Sequence, residues 1–325
     1  MPRAPDFWAG NSRSPWPVLL SPLAAAYRLA SRLNRSLATP QDAGIPVISV
    51  GNLVAGGAGK TPVAIALAGC LRRIGQTPHM LTRGYGGSLI GPVRVDPLRH
   101  RADETGDEAL LLAEAAPTWV ARDRVAGARA AAAAGASCVI ADDAHQTWRL
   151  ERAMSLLVVD GGYGFGNGRL LPAGPLREPV HSGLSRSDAV VVVGPRSVEL
   201  PSFGALPVFD AEFMPDPQDA ARLRNRRVLA FAGIGRPEKF FASLRRLGST
   251  VVGTRAFPDH APYSEDTVMR LVEQAHDLDA VPVTTAKDLT RLPPDAHRMV
   301  EVLRVSLVFA AADAVERFLL SRLSA

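Results

Sequence analysis

Short, mostly apolar runs recur along the first two thirds of the chain, and four of the five run into glycine or aspartate. They read "PVISV" (46–50), the run at 77–82, "SCVIA" (137–141), "SLLVVD" (155–160) and "DAVVVVG" (188–194). Strands without polar alternation belong to a parallel sheet covered on both faces. The intervening stretches have helical character: 61–74, "GDEALLLAEAA" (106–116) and the alanine-rich "RVAGARAAAAAGA" (124–136). The alternation predicts an α/β fold, a doubly wound and mostly parallel sheet. Right-handed crossovers bring the loops after each strand to one edge. The glycine loop at 51–59, "RGYGG" (83–87), Asp142–Asp143 and the loop after Asp160 are therefore expected around a single crevice.

A second, smaller α/β unit is predicted beyond a linker at "MPDPQDAARLRNRR" (214–227). Its elements are strand "VLAFAG", helix "PEKFFASLRRLG", strand "TVVGTRAF", a helix to 275, strand "VPVTT", one strand "VEVLRVSLVF" (300–309) and a terminal helix. Residues 36–213 then form the first domain and 214–325 the second. Ahead of both, residues 1–35 contain an amphipathic helix, "VLLSPLAAAYRLASRLNR" (18–35). At 100° per residue, Leu19, Leu23, Ala26, Ala30 and Leu33 lie opposite Arg28, Arg32 and Arg35. Such a helix either packs on the protein's own core or lies in an anionic membrane surface.

Composition narrows the function classes. A net charge of +5 favours anionic partners. Of the 37 basic residues only Lys60, Lys239 and Lys287 are lysine. Cys70 and Cys138 sit far apart in apolar stretches, which indicates a reducing compartment rather than a disulfide framework. No apolar run reaches the roughly eighteen residues of a transmembrane helix, and Pro17 and Pro22 break the only stretch that imitates a signal peptide. Nucleic acid is disfavoured as a partner because aromatics are only 6% of the chain and the arginines are dispersed.

The glycine loop carries the strongest chemical signal. Gly56, Gly57, Ala58 and Gly59 precede Lys60–Thr61 between an apolar strand and a helix with Pro62 in its first turn. This is the later part of the P-loop pattern; its first glycine is replaced by Val54. In that context backbone N–H groups turn inward on phosphate oxygens, Lys60 reaches the β- and γ-phosphates of ATP, and the Thr61 hydroxyl ligates Mg2+. Asp142 and Asp143 end a strand about eighty residues downstream, where P-loop enzymes hold Mg2+. Asp107, at a helix start, and His260, in "FPDHAPYS", announce no role by spacing.

Taken in order, "PVISVGNLVAGGAGKTPVAIALA", "LTRGYGG", "GDEALLLA", "ADDAHQTWRL", "LLVVDGGYGFGNGRLLPAGPLREP", "VLAFAGIGRPEKFFASLRRLG", "FPDHAPYS" and "TTAKDLTRLP" closely resemble the tetraacyldisaccharide 4'-kinases of lipid A synthesis. The resemblance runs from "PDFW" (5–8) almost to the end. It implies two α/β domains with the active site between them. It also implies a peripheral enzyme on the cytoplasmic face of the inner membrane, one that uses ATP and Mg2+ to phosphorylate the 4'-hydroxyl of a lipid A disaccharide 1-phosphate. No obligatory protein partner is implied. Asp107 takes the place of the family's general base and His260 that of its partner, while Asp142 and Asp143 match the acidic pair serving Mg2+ and nucleotide. The chain departs from the pattern at Ala144 and Thr147, where relatives carry glycine and histidine. The rival reading is an ATP-driven switch of the partition or septum-placing type. That class has a signature lysine where this chain has Ala55.

Overall fold

The computed structural model describes residues 5–10 and 13–323. Residues 1–4 and 11–12 of the predicted amino-terminal region, and 324–325 of the predicted second domain, lie outside the described residues.

In chain order the strands are β1 (Val47–Gly51), β2 (Pro78–Thr82), β3 (Val93–Arg94), β4 (Thr118–Val120), β5 (Cys138–Asp142), β6 (Met154–Asp160), β7 (Ala189–Val193), β8 (Val208–Pro215), β9 (Arg227–Ala232), β10 (Thr250–Ala256), β11 (Val281–Thr285), β12 (Glu301–Leu303) and β13 (Val305–Phe309). They form a nine-stranded sheet ordered β13-β8-β7-β6-β1-β5-β2-β4-β3 and a four-stranded sheet ordered β10-β9-β11-β12. From β8 to β4 the large sheet is parallel; β13 and β3 close its edges antiparallel. Every residue of β1, β5, β6 and β7 is buried. That is why these strands show no alternation: side chains on both faces meet helices. One face holds Ile48, Leu67 and Val191, the other Val47, Leu81 and Val139. β1 lies between β5 and β6, so the chain reverses its direction of winding there. Ligands of doubly wound sheets bind outside the strand ends at such a point.

Two expectations from the sequence are corrected. The stretch 214–227 is not a free linker: β8 runs to Pro215 and a helix follows at Pro217–Leu223. The Asp216 carboxylate caps this helix, accepting from the backbone N–H of Gln218 and Asp219 at 2.9 and 3.0 Å. Nor is 300–309 one strand. β12 pairs with β11, the chain changes sheet at Arg304, and β13 pairs with β8. A continuous apolar run conceals such a switch, because both halves have the composition of buried strand. The terminal helix Ala312–Leu323 then packs on the large sheet, with Val315 and Leu319 in the same core as the helix Lys60–Arg73. The smaller unit, 216–304, is thus inserted between two neighbouring strands of the larger one.

The predicted helix forms over Ser21–Ser36, and of its two expected orientations it has the one with the apolar stripe outward. Ala24 is its one buried residue, and Tyr27 and Ser31 are half-buried on the same side. Leu23, Leu29 and Leu33 are between 54% and 60% exposed, and Leu19 just ahead of the helix is 64% exposed. The apolar stripe therefore faces away from the body of the protein. Arg35 is turned inward, its guanidinium 4.9 Å from the centre of the Trp148 ring and donating to Ser182 Oγ at 3.4 Å.

Because the terminal helix completes the large core, its loss should destabilise the whole protein. Leu319→Ala is expected to cost about 2–5 kcal/mol, the range for emptying a fully buried leucine site. Urea unfolding checks this; a cost below roughly 1 kcal/mol would show that the helix is not part of the cooperative core.

Candidate active site

The turn that follows β1 is built by its own residues. Gly56 and Gly57 are exposed, and Gly59 holds φ at 86° as the residue capping the helix Lys60–Arg73. A side chain in that left-handed conformation would be strained. The helix start therefore presents free backbone N–H groups and a partial positive charge to the cleft. The loop "GPLREP" is stitched to the same turn: Ala55 N–H donates to Pro175 O at 2.8 Å and Arg177 N–H to Leu53 O at 2.7 Å.

This stitching delivers Arg177 to the acidic pair. Its guanidinium donates to both Asp143 oxygens, at 3.0 and 3.2 Å, and Lys60 Nζ lies 3.7 Å from Asp143. Burial raises the Asp143 carboxyl, but Lys60, Arg177 and Arg124 outweigh it and hold the group below its ordinary value. Asp142 differs although it is adjacent. It is 1% exposed, accepts from Thr61 Oγ1 at 2.8 Å, and is pushed up by burial with Glu108 adding to the effect. Two neighbouring carboxylates thus have opposite electrostatics. Asp143 has its cations; Asp142 has a hydroxyl and an unmet demand for positive charge. Among the described residues no cluster of three or more His, Cys, Asp or Glu is arranged to hold a metal. The pair Thr61–Asp142 nevertheless suits a hard cation that takes one or two protein oxygens and completes its shell with phosphate and water.

Asp107 begins the helix Asp107–Ala115. The turn "RGYGG" positions it: a Cβ on Gly106, whose φ is 84°, would meet Tyr85 O at 2.4 Å. In the turn itself a Cβ on Gly84 would meet Val120 Cγ1 at 2.6 Å and one on Gly87 would meet Glu104 O at 2.4 Å, whereas Gly86 faces open space. His260, after β10 of the smaller unit, has φ 62° and its Nδ1 lies 3.0 and 3.1 Å from the Asp107 oxygens. Arg291 Nε is 3.5 Å from the same carboxylate. Burial raises the Asp107 carboxyl, but His260, Lys287 and Arg291 overcome this and hold it below its ordinary value.

These groups meet at one cleft of about 1760 Å3 between the two sheets. Gly56 to Thr61, Asp143, Glu108, His260 and Lys287 line it, with Asp107 buried in contact with His260. At its far side Asp160, ending β6, accepts from Arg236 at 2.7 Å and Lys239 at 2.6 Å. Both cations come from the smaller unit.

Comparison with known proteins fits this geometry. The family model described as tetraacyldisaccharide-1-P 4'-kinase matches residues 16–324. The tetraacyldisaccharide 4'-kinase of Rhodospirillum centenum is 53% identical over 99% of this chain and 97% of its own length. That of Rhodospirillum rubrum is 49% identical over 99% of each. The chain belongs to the tetraacyldisaccharide 4'-kinase family. A crystal structure of LpxK from Aquifex aeolicus in complex with ATP superposes on this kinase with a TM-score of 0.77 at 27% identity, covering 94% of this chain and 99% of that one. Family membership sets aside the partition-type switch.

Sequence reasoning missed several residues of this kinase's cleft, namely Arg177, Gln146, Glu108 and Lys287, and Arg291 beside Asp107. Arg177 stood in a quoted motif, but only the tertiary pairing of that loop brings it to Asp143. The departures at 144–147 have a clear consequence. Ala144 is fully buried, and Thr147 lines the cleft. His145 does not replace the missing imidazole. It is fully buried, with Nδ1 3.1 Å from Ser155 Oγ, and burial pushes it down to about 3.

The raised Asp142 carboxyl makes a signed prediction. Between its unfolded value near 3.8 and its raised folded value, the native state binds more protons than the unfolded one, so this group's contribution to stability falls as pH rises. Asp142→Asn should remove that slope, gaining stability relative to the parent as pH is raised from 4 toward neutrality. Urea unfolding of the nucleotide-free protein at several pH values measures it; parallel curves would refute the raised carboxyl.

Proposed function

We propose that this kinase transfers the γ-phosphoryl group of ATP to the 4'-hydroxyl of a tetraacyldisaccharide 1-phosphate, giving lipid IVA, at the cytoplasmic face of the inner membrane. The observation that carries the reading is the Asp107–His260 contact, formed between the two units across the cleft that the phosphate-binding turn also lines.

The turn at Gly56–Gly59 and the ammonium of Lys60 hold the terminal phosphates and the charge that develops on them. Thr61 and Asp142 are the groups that would hold Mg2+, with Asp143 beside them. Bound there, the cation would neutralise phosphate charge. The sugar oxygen attacks the γ-phosphorus, the bond to the β,γ-bridging oxygen breaks, and ADP leaves. The hydroxyl proton passes to the Asp107 carboxylate, which is ionised at neutral pH because of its cationic neighbours. His260 orients that carboxylate through Nδ1.

The outward stripe of the helix Ser21–Ser36 supports a membrane-surface site. Moving one exposed leucine into hydrocarbon is favourable by roughly 1.5–3 kcal/mol, so Leu19, Leu23 and Leu33 together supply several kcal/mol of attachment. The acceptor, with several acyl chains, stays in the bilayer. The enzyme goes to it. No nucleic acid and no protein partner enter this reading.

Two experiments test the reading. Purified protein incubated with γ-labelled ATP should label a lipid A disaccharide 1-phosphate and leave a no-acceptor control unlabelled. Lys60→Ala and Asp107→Ala should each lower turnover by roughly a hundredfold or more while folding is retained. Near-normal turnover in a folded Asp107→Ala protein would remove the base. For the helix, Leu19→Ser, Leu23→Ser and Leu33→Ser combined should abolish co-sedimentation with anionic vesicles and leave thermal stability unchanged. Undiminished binding would assign membrane contact elsewhere.

A further inference from the structure

All three lysines of the chain line the same cleft, whereas eight of the 34 arginines do. Arginine supplies most of this protein's cations, so each lysine of the cleft calls for a reason of its own. Lys60 is accounted for by the phosphate-binding turn, and Lys239 by Asp160. Lys287 is not. It lies in the helix Ala286–Leu289, directly after β11 of the smaller unit, and its ammonium sits among acceptors from both units. Glu108 Oε1 is at 3.2 Å and Asp107 Oδ2 at 3.9 Å, both from the larger unit. His260 Nε2 is at 3.4 Å and Asp259 Oδ1 at 3.6 Å, both from its own.

We propose that Lys287 is a positioning residue for phosphoryl transfer, drawing the Asp107 half and the His260 half of the catalytic couple together across the cleft. The proposal rests on the reading of Asp107 as the base.

Two physical consequences follow from the geometry. An ammonium can only donate, so Nε2 of His260 accepts from Lys287 and the ring proton resides on Nδ1, where it is donated to Asp107. The tautomer that orients the carboxylate is thereby selected. The ammonium also adds positive charge beside Asp107, together with Arg291 from the turn just after this helix, and so favours the ionised form that a base requires. A compact ammonium with three rotatable donors meets acceptors arranged around it. A planar guanidinium in the same space would direct its N–H groups into one plane. Burial would drive Lys287 toward neutrality, but Glu108, Asp107 and Asp259 outweigh it and raise its affinity for the proton. The charge is retained where it is needed.

The test exchanges the ammonium chemically. Cys70 and Cys138 are both buried, so in a Lys287→Cys protein the new thiol is the one open to alkylation. Its thiolate displaces bromide from 2-bromoethylamine and becomes an aminoethyl thioether carrying an ammonium at nearly the original reach. Lys287→Cys should lower kcat roughly tenfold or more with KM for ATP nearly unchanged, and should move the acid limb of kcat/KM to higher pH because Asp107 loses a cation. Complete aminoethylation, verified by mass, should restore both. Carbamidomethylation, which adds no charge, should restore neither. Lys287→Met, which keeps the packing of the stem, should show the same loss with an unchanged thermal midpoint. Unaltered kcat in Lys287→Met, or a loss in Lys287→Cys that aminoethylation leaves in place, overturns the proposal. The base reading is separated by Asp107→Ala: if that variant is active the base reading falls, and if it is inactive while Lys287→Met is active only the role of Lys287 falls. In an Asp107→Ala background, Lys287→Met should cause no further loss, since the two act as one unit.

Discussion

The pairing of β8 with β13 constrains everything else in this molecule. Pro215, the last residue of β8, lies opposite Val305, the first of β13, so both chain crossings between the units occur at one place. Asp216 N–H donates to Arg304 O at 2.9 Å, and Arg304 N–H to Asp219 at 2.9 Å, tying the two crossings together. β8 is parallel to β7, so its exit lies on the edge of the sheet where the loops after β1, β5 and β6 also emerge. The smaller unit is therefore held over that edge, with its own strand ends facing it.

This arrangement explains why so many carboxylates end strands or begin helices at the cleft, and why their cations come from elsewhere in the chain. Asp160 takes Arg236 and Lys239 from the smaller unit. Asp107 takes His260, Arg291 and Lys287 from it. Asp143 takes Lys60 from the turn after β1 and Arg177 from the stitched loop. Asp160 and Asp107, both buried, would be costly alone, and each becomes acceptable when a separate element supplies its partner; Asp143 is partly exposed. Asp142 departs from this rule. Among the described residues its one side-chain hydrogen-bond partner is a neutral hydroxyl, and the cost left standing there is what a bound dication would relieve.

Much of the fold was legible because a parallel sheet buried on both faces leaves a plain mark. β1, β5, β6 and β7 are continuous apolar runs, and the glycine loop between an apolar strand and a helix identified its own geometry. The terminal strand was not legible. "VEVLRVSLVF" has one composition throughout, and which sheet Leu307 and Phe309 serve depends on the distant β8. The amino-terminal helix shows a related limit. Its period predicted an amphipathic helix correctly, but periodicity carries no information about which face meets the protein, and here the apolar face looks outward.

By itself the sequence determined the local chemistry: strands from apolar runs, a glycine-rich strand-to-helix turn before Lys60, a family from motifs in order. Tertiary structure alone decided which residues meet. Asp107 and His260 are far apart in the chain, and so are Asp143 and Arg177; no spacing rule joins them. Their contacts arise from strand order and from the double crossing at β8 and β13. Such non-local pairings depend on how whole sheets stack, a property that no window of sequence contains.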